Sequence, residues 1–398
     1  MPEKGPVYFD GRSAVYFCIL LYLCFEQQQA AMPLIKDIIR VLEKIAPPTY
    51  QESYDNSGLI VGSPDVEASG VLVSLDCLET TVDEAIQKSC NLIVAHHPIV
   101  FKGLKRINGS NYVERTVIKA LKHDIAIYAI HTNLDNMYHN GVNSRIAEVL
   151  QLKDTRILAP VKGLLRCLIT FVPAADAEGV RQALFSAGAG NIGNYDACSY
   201  NLEGIGTFRA GEGANPHVGA IGEIHRENET RIEVIYPIHA ESQILTALED
   251  AHPYEEVAHY IISLENKHQY IGAGMIGELE SEIPLLDFLH HLKAVMKCGI
   301  VKFTDDSGVK KVRKVALCGG AGSFLLGEAI RQRADIFISA DFKYHEFFDA
   351  EGKIVIADIG HFESEQFTIS LISEIISKNF LNFAVYLTEL NTNPVNYL

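Results

Sequence analysis

The chain contains 398 residues, which at about 150 residues per domain predicts more than one domain. Its 34 Lys and Arg against 50 Asp and Glu give a formal net charge of −16, which argues against a general nucleic-acid or anionic-membrane binder. Hydrophobic residues make up 48% and charged residues 21%, which excludes a disordered or collagen-like chain, and the apolar runs are too short for a multispan membrane protein. The eight cysteines are scattered without a CxxC pair, so we expect reduced thiols in a cytoplasmic protein.

The N-terminal segment differs from the rest of the chain. Residues 14–25 form an apolar run that is too short to cross a bilayer but has the length found in signal peptides. The small pair Ala30–Ala31 offers only a weak cleavage site. The alternative is an extension upstream of a true start at Met32, and we expect residues 1–31 to lie outside the fold.

Residues 32–160 alternate between predicted helices and strands. Amphipathic periodicity predicts the helices, and continuous apolar runs predict strands that are buried on both faces of a parallel sheet. In chain order we expect a helix at 33–48, a strand at 69–76, a helix at 80–89 with Thr80 or Thr81 as N-cap, a strand at 91–97, a helix at 115–124, a strand at 125–135 and a helix at 143–152. This alternation favours a first α/β lobe.

The pattern changes in residues 161–268. It predicts a strand at 166–173, a helix at 176–188, strands at 198–208 and 231–237, a helix at 239–251 and a strand at 256–264. The order βαββαβ is typical of a compact ferredoxin-like unit. Because such a unit can fold alone, we interpret it as a domain inserted into the host.

The α/β pattern resumes over residues 269–398. It predicts helices at 282–297, 323–333 and 361–379 and strands at 310–320, 335–341 and 353–360. The expected fold class is therefore α/β, with a two-lobed host and an inserted ferredoxin-like domain.

Histidine and carboxylate side chains occur at the carboxyl ends of three of the predicted strands or directly after them. They are His96 with His97, His131 with Asp135, and His361 with Glu365. Ligands collect at the carboxyl ends of strands in open α/β sheets, and residues four apart share one face of a helix. These nitrogen and oxygen donors suit zinc, manganese or iron, and a bridging carboxylate can hold two ions about 3.5–4 Å apart. Any one of these histidines alone would more often be a surface or supporting residue, but together they predict a metal centre.

Three further motifs have a functional and a structural interpretation. Lys102, Lys105 and Arg106 are candidates to hold an anionic substrate such as a phosphate, or they belong to an ordinary solvated surface. His345 and Glu346 are candidates for acid–base catalysis or for a structural role. The loop at 319–323, GGAGS, could bind phosphate through backbone N–H groups, but it lacks P-loop spacing, which favours tight strand-to-helix packing.

Six motifs occur in the order typical of the NIF-three-like family, whose members are often named GTP cyclohydrolase 1 type 2 homologs: YDNSGLIVG at 54–62, AHHP at 95–98, HTNLD at 131–135, CGGAGSFL at 318–325, SADFKYHE at 339–346 and IGHFESE at 359–365. The resemblance extends from about Met32 to the C-terminus, and the middle segment resembles the PII- or CutA-like insert of the long bacterial members. Tyr54 replaces a tryptophan that is frequent in the family.

The resemblance implies two divalent metal ions per subunit, with the ligands His96, His97, Asp135, His361 and Glu365. It also implies a toroidal homohexamer with the metal sites facing an internal cavity. The family name suggests hydrolytic opening of the GTP imidazole ring with formate release, through a metal-activated water. The same site would suit hydrolysis of another phosphorylated or cyclic-amide substrate. The alternative is a non-catalytic regulatory or scaffold protein that senses a small molecule through its PII-like insert. In either case we expect no membrane or nucleic-acid partner.

Overall fold

A computed structural model of the protein describes residues 32–304 and 308–398. The expected N-terminal extension, residues 1–31, lies outside these ranges. The described chain is a mixed α/β structure with sheets of five, six and four strands. Among its described helices, none combines the length and apolar character needed to cross a membrane.

The strands, in chain order, are β1 (Gly58–Val61), β2 (Val71–Ser74), β3 (Leu92–Ala95), β4 (Ala126–Ala129), β5 (Lys153–Lys162), β6 (Leu165–Pro173), β7 (Tyr200–Arg209), β8 (Ile224–Pro237), β9 (His259–Leu264), β10 (Lys267–Pro284), β11 (Lys302–Phe303), β12 (Lys311–Ala321), β13 (Ile336–Ala340), β14 (Val355–Asp358) and β15 (Val385–Leu387). The helices are α1 (Ile35–Ile45), α2 (Glu79–Gln87), α3 (Tyr112–Lys122), α4 (Thr132–Asp135), α5 (Val142–Val149), α6 (Ala177–Ser186), α7 (Glu241–Ala251), α8 (Leu285–Val295), α9 (Leu326–Arg331), α10 (His361–Glu365) and α11 (Thr368–Asn379).

The first sheet has the strand order β1–β4–β3–β2–β15. Strands β2, β3, β4 and β15 are parallel, and β1 pairs antiparallel with β4. Every residue of β2, β3 and β4 is buried, which confirms the interpretation of these apolar runs as strands covered on both faces.

The predicted cap of α2 is wrong. The helix begins at Glu79 rather than after Thr80 or Thr81. Thr81 lies inside the first turn, where its Oγ1 accepts the N–H of Leu78 at 3.1 Å. The hydroxyl therefore satisfies a backbone donor before the helix instead of one within it.

The strand predicted at 125–135 is shorter than expected. It ends at Ala129, and the chain turns into the short helix α4. Asn133 supports this turn, because its Oδ1 accepts the His131 N–H at 2.9 Å and its Nδ2 donates to the Ala46 carbonyl at 2.7 Å. His131 and Asp135 therefore leave the sheet at its carboxyl edge.

The second sheet has the order β11–β14–β13–β12–β10–β5. Strands β12, β13 and β14 are parallel, as their apolar runs predict, and β10 and β5 extend the sheet antiparallel. The sequence predicted neither β5 nor β10. Strand β5 falls largely within the segment assigned to the first lobe, but it pairs in this second sheet.

The third sheet contains β6 to β9 in the order β7–β8–β6–β9, and all its pairs are antiparallel. Helices α6 and α7 supply apolar side chains to a core beneath the sheet, formed chiefly by Leu168, Val172, Val180, Leu184, Ile232, Val234, Ile244 and Leu248. The other face of the sheet exposes Tyr200, Leu202, Tyr260 and Ile262. A separate apolar core thus underlies this part of the chain.

The first and second sheets share one core. Val73, Val94 and Tyr128 from the first sheet and Leu317 and Ile338 from the second belong to the same buried cluster. Full burial of a large apolar side chain contributes roughly 1.5–3 kcal/mol, so this shared core fixes the two sheets against each other. Residues that follow strands of both sheets meet at one cleft as a result.

Candidate metal centre

The five predicted ligands come from both sheets. His96 and His97 follow β3, and Asp135 is the last residue of α4. His361 and Glu365 begin and end α10, which follows β14. The predicted helical spacing of His361 and Glu365 is confirmed, because His361 Nε2 lies 3.1 Å from Glu365 Oε2.

The ligand atoms converge on Glu365. Its Oε2 lies 2.9 Å from His97 Nε2 and 3.9 Å from His96 Nε2. Asp135 Oδ1 lies 3.5 Å from His96 Nε2. The atoms form overlapping groups, each with all members within 4.8 Å: His96 with His97 and His131, His97 with His361 and Glu365, and His96 with Asp135 and Glu365. Each group offers three donors to a divalent ion.

Two buried atoms in the cluster have no hydrogen-bond partner among the described residues. They are His96 Nε2 and Asp135 Oδ1. His96 is fully buried, and its Nδ1 must donate to the Ile130 carbonyl at 2.8 Å because a carbonyl only accepts. Burial lowers the pKa of His96 to about 3, so the ring is neutral and Nε2 carries a lone pair that faces Asp135 Oδ1. A divalent cation satisfies two such atoms at once, so the donor set fits a metal ion.

Carboxylates outside the predicted set orient the other three rings. His97 Nδ1 contacts Asp76 Oδ1 at 2.8 Å, and His361 Nδ1 contacts Asp341 Oδ2 at 2.6 Å. A carboxylate at Nδ1 fixes the ring and leaves Nε2 to act as a ligand. Neither carboxylate was among the predicted site residues, although Asp76 and Asp341 are the last residues of the predicted strands at 69–76 and 335–341.

His131 has the same arrangement. Its Nδ1 contacts Asp55 Oδ1 at 2.8 Å, and the other oxygen of Asp55 accepts from Thr132 Oγ1 at 2.5 Å. Although burial opposes it, hydrogen bonds from His131 and Thr132 hold the pKa of Asp55 well below its usual range. Asp55 belongs to the YDN motif. His131 is thus a further imidazole beside the predicted ligands, supported by an ionised carboxylate.

The side chains of the cluster differ in pKa according to the hydrogen bonds that they make. Burial lowers the pKa of His96 to about 3 and raises the pKa of Asp135 to about 7. Burial opposes the charged form of His97 too, but hydrogen bonds to Asp76 and Glu365 raise its pKa to about 9. Burial also opposes the ionised form of Glu365, yet hydrogen bonds from His361 and His97 lower its pKa well below the usual value. Without a metal ion, protons on imidazoles compensate the buried Glu365 charge.

The GGAGS loop packs around Glu365. Gly320 has φ +61°, and a Cβ there would lie 2.4 Å from Glu365 Oε1. The N–H of Gly319 donates to Asn143 Oδ1 and that of Gly320 to Ser364 Oγ, both at 2.9 Å. These donors are therefore used within the protein, which supports tight packing over phosphate binding.

A cleft of about 730 Å³ opens onto the cluster. Exposed aromatic side chains contribute to its lining: Tyr54, Phe101, Phe324 and Tyr397. Lys302 is the lysine that lines it, and its Nζ lies 2.7 Å from Asp358 Oδ2.

The other candidates lie elsewhere. The anion candidates Lys102, Lys105 and Arg106 are exposed in the loop after β3 and are not among the lining residues. His345 and Glu346 are also absent from the lining. His345 is exposed, and Glu346 Oε2 accepts the N–H of Lys343 at 2.8 Å, a helix-capping contact. The geometry therefore does not bring these candidates to the cluster.

Fold and site together define a class: a mixed α/β protein in which two sheets present a histidine–carboxylate cluster suited to divalent metal ions. The sequence matches the Duf34/NIF3 (NGG1p interacting factor 3) family over residues 33–394. The chain belongs to this family.

Relatives share most of the sequence. The chain is 37% identical to the "GTP cyclohydrolase 1 type 2 homolog" of Bacillus subtilis over 369 residues, which cover 91% of this chain and 98% of the relative. It is 31% identical to the protein of the same name from Staphylococcus aureus (strain COL), covering 92% and 100%. A solved Bacillus cereus protein related to NIF3 superposes with a TM-score of 0.80 at 36% identity, covering 93% of this chain and all of that one.

Proposed function

We propose that the protein is a hydrolase that uses two divalent ions, of zinc, manganese or iron, at the histidine–carboxylate cluster. The observation that carries the proposal is the pair of buried, unpartnered atoms His96 Nε2 and Asp135 Oδ1, 3.5 Å apart beside Glu365. An unsatisfied buried polar group costs about 1–3 kcal/mol. A bound cation would remove this cost at both atoms.

The chain's residues would divide the work. His96, His97 and His361 would offer Nε2, and Asp135 and Glu365 a carboxylate oxygen. Such ions, when bound, lower the pKa of a coordinated water from about 15.7 to about 7, which supplies a nucleophile near neutral pH.

Proton transfer would fall to His131. Its Nδ1 is held by Asp55, so Nε2 can accept a proton from a nucleophile formed in the cleft. This assignment replaces His345 and Glu346, whose side chains lie away from the cleft lining.

The substrate would be a nucleotide or a related phosphorylated or cyclic-amide compound. The name of the relatives supports GTP, with formate release after attack at the purine C8. Lys302 lines the cleft, unlike Lys102, Lys105 and Arg106, so it is the better placed to contact an anionic group, which would share its Nζ with Asp358. The aromatic lining would favour a planar ring next to the metal ions.

The test uses full-length protein reconstituted separately with zinc, manganese and iron. Each sample is incubated with GTP, other nucleotides, phosphoesters and cyclic amides, and formate and hydrolysis products are measured. We expect metal-dependent turnover of one class, absent in Glu365→Gln. Two bound ions without hydrolysis of any substrate in the panel would overturn the hydrolase proposal.

The second candidate function is that of a non-catalytic regulator, and one observation favours it. The β6–β9 unit contains its own cleft of about 700 Å³, lined by Phe171, Phe208, Tyr254, Arg231 and Glu229 among others. The strand order β7–β8–β6–β9 supports the interpretation of residues 161–268 as an inserted ferredoxin-like, PII-like domain. A ligand-induced thermal shift in a sample that is inactive on the whole panel would favour this regulator.

Assembly and location complete the proposal. We expect a toroidal homohexamer in the cytoplasm, and the exposed apolar face with Tyr200, Leu202, Tyr260 and Ile262 supports contact between copies. Light scattering of the purified protein tests the assembly, and a monomeric mass would contradict it.

A further inference from the structure

The C-terminal segment after β15 contributes to the lining of the cleft, through Asn393, Pro394, Val395 and Tyr397. Thr388 Oγ1 and the N–H of Glu389 first donate to the two oxygens of Glu84, at 2.5 and 2.9 Å. Of residues 386–398, Thr392 alone is buried, with 8% of its surface exposed. A single buried polar residue within an exposed tail indicates a specific contact.

That contact reaches the metal centre. Thr392 Oγ1 donates to Asp76 Oδ2 at 2.6 Å, while Asp76 Oδ1 receives His97 Nδ1 at 2.8 Å. Both oxygens of Asp76 are therefore engaged, one by the tail and one by the ring. The hydroxyl restricts rotation of the carboxylate and so restricts the direction in which His97 Nε2 points.

The next residues of the tail contact the helix that bears the other ligands. Asn393 Nδ2 donates to Glu363 Oε1 at 3.1 Å, and Glu363 is part of α10. Tyr397 Oη also approaches the turn before this helix, where a Cβ on Gly360 would lie 2.9 Å from it. The tail thus connects Asp76, which supports His97 and follows a strand of the first sheet, to α10, which follows a strand of the second sheet.

We infer that residues 391–397 form a C-terminal strap in which Thr392 is a positioning residue. Through Asp76 it sets the orientation of His97, and thereby the affinity for one of the two metal ions. The inference rests on the proposed dinuclear centre. His97 belongs to the groups with His361 or His131 but is absent from the group of His96, Asp135 and Glu365. The effect of Thr392 should therefore be unequal between the two ions.

The expected size follows from the position of Thr392. Removing the outer hydrogen-bond partner of a metal-bound histidine typically costs 10–100-fold in metal affinity, as a rough guide. Thr392 is one hydrogen bond further from the metal ion than Asp76 is. We therefore expect a loss of affinity at the lower end of this range, about tenfold, for one ion.

The test compares Thr392→Val, which removes the hydroxyl and keeps the shape, with Thr392→Ser, which keeps the hydroxyl. Thr170→Val is the matched control, because Thr170 is also buried and donates to the Ala258 carbonyl at 3.1 Å, within the β6–β9 unit. Zinc is titrated against a competing chelator, and cobalt substitution reports the ligand field by absorption. We expect Thr392→Val to lower the affinity for one ion about tenfold and to alter the cobalt spectrum. Thr392→Ser and Thr170→Val should match wild type in both measurements.

The outcomes separate the two claims. If wild-type protein binds fewer than two ions, the dinuclear proposal fails. If wild type binds two ions and Thr392→Val matches it at both, the positioning role is wrong and the metal centre stands. The positioning role is also wrong if Thr392→Val lowers the affinity for both ions equally, or if Thr392→Ser has the same reduced affinity as Thr392→Val.

Discussion

Replacing Gly320 by alanine tests whether the backbone at this glycine fixes the position of the Glu365 carboxylate. Gly320 has φ +61°, a conformation that costs a residue with a Cβ roughly 1–2 kcal/mol. The added Cβ would also lie 2.4 Å from Glu365 Oε1 and 3.3 Å from His361 Cε1. Glu365 must move, and because it belongs to two of the three ligand groups, metal affinity should fall by about tenfold or more, equivalent to at least about 1.4 kcal/mol.

Gly163→Ala separates these two effects. Gly163 has φ +74° and no atom within 4 Å of an added Cβ, so it carries the backbone cost alone. Urea unfolding of the metal-free proteins should show a loss of about 1–2 kcal/mol for Gly163→Ala and at least as much for Gly320→Ala. A zinc titration against a chelator should show reduced affinity only for Gly320→Ala. Wild-type zinc affinity in Gly320→Ala would show that Gly320 does not fix the position of Glu365.

Zinc binding should release protons at pH 7, because hydrogen bonds to carboxylates overcome burial and raise the pKa of His97 to about 9. Calorimetry in buffers of different ionisation enthalpy measures the number of protons released, and a value of zero would contradict the prediction. In the metal-free protein the same shift adds stability that is fully present below about pH 6.5 and is lost as the pH rises through about 9, which unfolding at several pH values should show. Asp55→Asn should lower kcat about 100-fold or more while metal content stays unchanged, and an unchanged kcat would remove His131 as the proton acceptor. His345→Ala should leave zinc content and kcat at wild-type levels, since the exposed ring lies outside the cleft lining.

The parallel strands and the convergence of the histidines and carboxylates at strand ends could be predicted from the sequence pattern, and the family resemblance then singled out five of these residues as ligands. Strands buried on both faces have continuous apolar runs, and side chains that follow such strands meet at one sheet edge. His97 and Glu365 are 268 positions apart, yet His97 follows a recognisable strand and Glu365 lies in the helix after another. The pattern was sufficient because it depends only on local sequence.

The remaining features depend on pairings between distant segments. Strand β10 contains Gly272, where an added Cβ would lie 2.3 Å from the Ala159 carbonyl of β5, so this glycine reflects the close approach of two strands that are distant in sequence. Asp76 and Thr392 are 316 positions apart, and an isolated threonine in a polar tail gives no sequence signal for their contact. Likewise, the role of Asp341 in orienting His361 is visible only in the folded structure, where the two side chains are in contact.

Anomalous diffraction from crystals of zinc-reconstituted protein would locate the ions bound at the histidine–carboxylate cluster. We expect two zinc peaks per subunit, about 3.5–4 Å apart, with His96 and Asp135 at one and His97 and His361 at the other, and Glu365 in contact with both. One isolated peak, or zinc bound away from Glu365, would contradict this expectation.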